Sequence, residues 1–165
     1  MNANSDTIVI QWDSAGGLEK PISGTADLTV FADGRVEVGP RFANGTVTKH
    51  KLSEADLTAL CRFVFEQQDI WSIDSDELER DVKAVGSPDA DLGSHAASVV
   101  PLGTEAVADA ATTIIRVRDD DHHHEVRYYN LAGAARRYPQ LDKLQRLRAI
   151  ERRLLELAQQ ITTSR

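Results

Sequence analysis

Three imidazoles and four carboxylates fall within seven residues in Asp119-Asp120-Asp121-His122-His123-His124-Glu125. That donor set suits zinc, nickel or copper: imidazole nitrogens bind such ions, an aspartate oxygen adds a ligand and offsets charge, and water completes the shell. A metal held this way can activate its bound water, so the chemistry implied is metal-assisted hydrolysis. The run contains no His-Glu-x-x-His or other closed zinc pattern, and histidines in a turn often take up added metal incidentally. A solvated hairpin turn is therefore the simpler expectation.

The flanking residues determine which of these groups converge. Residues 112–118, TTIIRVR, and 123–129, HHEVRYY, read as adjacent antiparallel strands joined by an acidic turn. With Asp120 and Asp121 in the turn, Asp119 faces His122, Val117 faces His124, Arg116 faces Glu125 and Ile115 faces Val126. Asp119, His122 and His124 then share the side of Ile115, Val126 and Tyr128 and are the candidate metal ligands. His123 turns to the other side, near Arg118.

Other chemistry-bearing residues stand apart. His50 is expected on a strand or surface and His95 in a loop, and neither has a local triad arrangement. Cys61 lies among Leu57, Leu60, Val64 and Phe65, which favours a packed thiol over a nucleophile. Asp89 and Asp91 lack the six ligand positions and terminal glutamate of a calcium-binding EF-hand loop. Gly34 follows Asp33 in a turn, and no glycine-rich phosphate loop opens a helix.

The elements that must carry these residues are legible from periodicity. Residues 7–12 form a first strand, followed by a loop with Gly16, Gly17, Pro21 and Gly24. A hairpin follows, in which Leu28, Val30, Val36 and Val38 alternate around Asp33-Gly34. A short strand is expected at 46–51, then a helix capped by Ser53 that presents Leu57, Leu60, Cys61, Val64 and Phe65 on one face to about Gln68. Trp71 and Ile73 are expected as core anchors beyond it. The interval 75–111 reads as an irregular segment rich in acids, glycine and serine. From Pro139 the longest helix begins, with Leu141, Leu144, Leu147, Ile150, Leu154, Leu157 and Ile161 as a seam. Packing on the sheet is its first expected use and pairing with a second copy the other.

A chain of 165 residues with 41% apolar content can bury one core, so residues 1–165 are read as a single domain. One cysteine excludes an intrachain disulfide and a four-cysteine zinc site. The first twenty residues lack a basic leader, and no apolar run reaches the roughly 18 residues of a membrane span. A cytoplasmic location is slightly favoured, with an exported domain after leader removal also open. The net charge of −7 argues against nucleic acid and anionic membranes, although the segment from Gln140 onwards is locally basic.

The order W…GG…LTVFADGRVEV…LSEADLTALCRFVF…TTIIRVRDDDHHHEVRYYNL, then a proline and a leucine-rich helix, resembles uncharacterised bacterial α+β domains, some found in cell-envelope proteins. The resemblance spans nearly the whole chain and carries no catalytic residue or substrate onto it. The expectation is thus an α+β domain, an antiparallel sheet covered by two principal helices. It would act without a cofactor as a non-enzymatic binding or protein-interaction module, its partner another protein or a second copy. The alternative is a metal-dependent hydrolase using residues 119–125 with zinc or another divalent transition metal.

Overall fold

The computed structural model describes residues 6–16, 25–86, 110–120 and 122–164. Gly17, Pro21, Gly24, Asp89, Asp91, His95 and Asp121 lie outside them. The described residues form an α+β architecture, a six-stranded antiparallel sheet in the order β4-β3-β2-β1-β5-β6 with four α-helices. The strands are β1 (Ile8–Ala15), β2 (Leu28–Phe31), β3 (Arg35–Val38), β4 (Thr48–Lys51), β5 (Thr112–Asp119) and β6 (His122–Tyr129). The helices are α1 (Glu54–Arg62), α2 (Ser75–Gly86), α3 (Leu131–Arg137) and α4 (Asp142–Thr163).

Alternation along the strands divides the sheet into two chemically different faces. Thr48, Val38, Leu28, Trp12, Ile115 and Val126 are successive cross-strand neighbours, one row across the whole sheet. Its apolar members are buried and join the helices in one core. One residue along, Lys49, Glu37, Thr29, Gln11, Arg116 and Glu125 make the corresponding row on the outer face. The period of two thus places an apolar row and a polar row back to back.

Local chemistry fixes the connections. Gly34 takes φ +87° between β2 and β3, where a side chain is disfavoured, and Asp33 Oδ1 accepts the Arg35 N–H at 2.9 Å. Ser53 Oγ accepts the Asp56 N–H at 3.1 Å and starts α1. Past Arg62 that helix widens into a π turn at Phe63–Gln67, and a 3-10 turn at Ile70–Ser72 follows, burying Ile70 and Ile73.

Two expectations require correction. Residues 75–86 are not irregular but form α2. Asp74 Oδ1 accepts the Glu77 N–H at 2.9 Å, a cap ahead of an apolar pair, Leu78 and Val82, that packs on the core. The remainder of the expected segment, 87–109, lies outside the described residues. The last helix starts at Asp142 rather than Pro139, which sits in the preceding turn. Its stripe is buried at Leu144, Leu147, Ile150, Leu154 and Ile161, with Ala158 buried where Leu157 is only half-buried. A helix packed on a sheet keeps a period near 3.6, so the stripe drifts from a strict coiled-coil seam. Glu151 is drawn into the same interface, where Thr113 Oγ1 donates to it and Arg148 pairs with it.

Candidate functional site

The β5–β6 hairpin has the register expected from its sequence: Asp119 opposite His122, Val117 opposite His124, Arg116 opposite Glu125. Asp119, His122 and His124 therefore lie on the helix-bearing face, and Arg118 and His123 are opposite each other on the outer face.

The three candidate ligands sit in different surroundings. Asp119 and His122 are exposed near the hairpin tip, whereas His124 is half-buried. His124 Nε2 lies 2.8 Å from the Ile73 carbonyl oxygen. A carbonyl only accepts, so Nε2 carries the hydrogen and donates it, which makes Nδ1 the acceptor nitrogen of the ring. The ring also sits 6.0 Å from the Trp71 ring, which stacks on Phe65 at 5.7 Å. His124 thus pins the 3-10 turn to the sheet. Among the described residues no group of three or more His, Cys, Asp or Glu side chains is placed to hold a metal ion. A metal at this tip would rely on Asp119 and His122, with His124 offering only Nδ1 unless its bond to Ile73 broke.

Cys61 faces the same region from α1. Burial pushes its thiol pKa up, and the negative charge of Asp119 raises it further. A thiol held protonated is a poor nucleophile, which opposes a cysteine-based reaction there.

The outer face at the same end of the sheet carries an open groove of ≈ 540 Å³ lined by residues from Asp6 to Val9, Gln11, Arg116 to Arg118 and His123 to Glu125. Ile8 and Val9 give it apolar surface, and Ile8 is 38% exposed. Its two carboxylates are neutralised by neighbours. Asp6 receives Arg35 Nη2 at 2.7 Å, and Glu125 is held between Arg127 and Arg116. Arg127 and then Arg116 hold the Glu125 carboxyl below the ordinary carboxylate value. Arg116 also reaches Gln11 Oε1 at 3.3 Å. Arg118 has no carboxylate partner among the described residues, and its Nε donates to the Asp120 carbonyl at 3.4 Å.

Sequence reasoning placed His123 beside Arg118 but attached no role to them. The signal was the alternation itself: Arg116 and Arg118 on one strand and His123, Glu125 and Arg127 on the other all fall on the outer face once the register is set. The contribution of residues 6–9 to the groove had no local signal, because it depends on β1 pairing with a strand about a hundred residues later. Comparison with family models, curated proteins and solved structures gives no match to this chain, so the functional reading rests on these side chains.

Proposed function

We propose that this chain is a non-enzymatic protein-interaction module that engages its partner on the outer face of β1, β5 and β6. The observation carrying the proposal is the groove itself: apolar Ile8 and Val9 line it beside Arg116, Arg118, Asp6 and Glu125. A volume near 540 Å³ suits a side-chain cluster or short segment, and mixed apolar and polar surface is the usual composition of a recognition site. Meanwhile the groups with reactive potential are engaged in packing, His124 on the Ile73 carbonyl and Cys61 as a protonated thiol.

A site-specific photo-crosslinker tests the proposal. Placed at Gln11 in the groove, it should capture a defined partner from the native cell extract, and the capture should be lost with Arg118→Glu. The same probe at Thr58, an exposed position on α1, should not capture that partner. Equal capture from both positions would refute the assignment of the surface.

The second reading, a metal-dependent hydrolase, is favoured by one observation, the direct opposition of Asp119 and His122. It requires submicromolar, stoichiometric zinc binding that is abolished by His122→Ala, together with an open coordination position for water.

A further inference from the structure

We propose that the partner presents an acidic, extended segment, which adds to the β6 edge as a further strand and places a carboxylate against Arg118. This rests on the reading of the outer face as the interaction surface and specifies the chemistry of what binds there.

The hydrogen-bond parity of β6 identifies the receptive backbone. Asn130 N–H donates inward to the Ala111 carbonyl at 3.0 Å, whereas Arg127 N–H donates outward to Ser75 Oγ at 2.9 Å. Along an antiparallel edge strand, alternate residues direct both backbone groups to the neighbour or away from it. Hence His123, Glu125 and Arg127 point away from β5. Ser75, the first residue of α2, occupies the Arg127 position and covers that end of the edge. His123 and Glu125 keep outward N–H groups with no hydrogen bond among the described residues, enough to pair a short segment.

The opposite edge is protected differently. β4 is four residues long and carries exposed Lys49 and Lys51, features that discourage strand addition. β6 is eight residues long, and its open half adjoins the groove.

Charge selects the segment. Arg35 is shared by Asp6 and Glu37, and Arg116 and Arg127 share Glu125, so of the arginines around the groove Arg118 is the one left without a carboxylate among the described residues. On an added strand, the residue opposite His123 would lie two strand spacings, about 9.6 Å, from Arg118 on the same face, within the combined reach of a glutamate and an arginine side chain. Opposite charges that meet across a sheet stabilise such a pairing, and the Arg118 guanidinium draws an acidic residue to it.

The test uses the full chain and three ten-residue peptides: alternating valine and glutamate, alternating valine and lysine, and the glutamate peptide N-methylated along one edge. Affinity is measured by calorimetry and backbone exposure by amide hydrogen exchange. The glutamate peptide should bind about tenfold or more tighter than the lysine peptide, weaken as salt is raised, and protect the His123 and Glu125 amides. Arg118→Glu should remove that preference, while Arg152→Glu, on the exposed side of α4, should leave it intact. Equal binding of the lysine peptide, or none of the glutamate peptide, overturns the inference. Equal binding of the N-methylated peptide overturns strand addition. Protection of the same amides by a dimer without peptide overturns it in favour of a second copy. In each of these cases capture at Gln11 continues to report separately on whether the groove is the interaction surface.

Discussion

His124 is the residue at which the metal and structural readings give opposite results. If it acts as a latch between β6 and the 3-10 turn, His124→Ala loses the bond to the Ile73 carbonyl and the contact with Trp71. In EDTA this should cost about 1–2 kcal/mol, seen as a lower unfolding midpoint, while exposed His122→Ala should change it by less than about 0.5 kcal/mol. An unchanged midpoint for His124→Ala in EDTA, with zinc stabilising only the wild type, would favour the metal reading. Cys61 offers a second residue-scale test. Asp119→Asn removes the charge that helps raise the thiol pKa, so alkylation of Cys61 at neutral pH should be faster in the variant. The rate should stay below that of a free exposed thiol, because burial remains the larger cause. An unaltered rate would mean that the charge of Asp119 does not reach Cys61.

The β5–β6 hairpin also has a defined pH response. The folded-state pKa of Glu125 is depressed by Arg127 and Arg116. Its contribution to stability is therefore fully present above the unfolded value, near 4.5, and is lost as pH falls through the lower folded value. Glu125→Gln should flatten the fall of the unfolding midpoint below that pH and have little pH-dependent effect near neutrality. The same slope in wild type and variant would place acid sensitivity elsewhere. At this scale most of the hairpin was legible in the sequence, because period-two alternation and a two-residue acidic turn permit only one register that buries Ile115, Val117 and Val126. α2 was not legible although Asp74 caps it through the Glu77 N–H, because Leu78 and Val82 are too few apolar positions among the acids to set a helical period. α3 was missed because LAGAARR has no apolar stripe long enough to be periodic. Its start depends on Asn130 in a left-handed conformation, φ 50°, accepting the Gly133 N–H. The candidate ligands were legible as types and as a shared face, but the bond from His124 to Ile73 joins positions 51 residues apart and has no pattern in the sequence.

At the scale of the molecule, α4 decides whether self-association could arise from the leucine stripe. Leu154 is 0% exposed in a core shared with β3 and β4, and Leu144, Leu147 and Ile150 are buried with it. The buried part of the stripe is thus occupied by the chain's own core, while Leu141 and Leu157 at its margins are half-buried. Leu154→Ala should lower stability by about 3 kcal/mol through lost burial and the cavity left behind. For a domain whose core closes within one chain, that loss should be the same at every protein concentration. Were α4 instead the seam of an obligate dimer, the unfolding midpoint would rise with concentration and the variant would shift the monomer–dimer equilibrium. Chemical denaturation of wild type and Leu154→Ala over a hundredfold concentration range distinguishes the two. Coincident curves for each protein support a core that closes within one chain, and curves that separate with concentration support the helix-paired dimer.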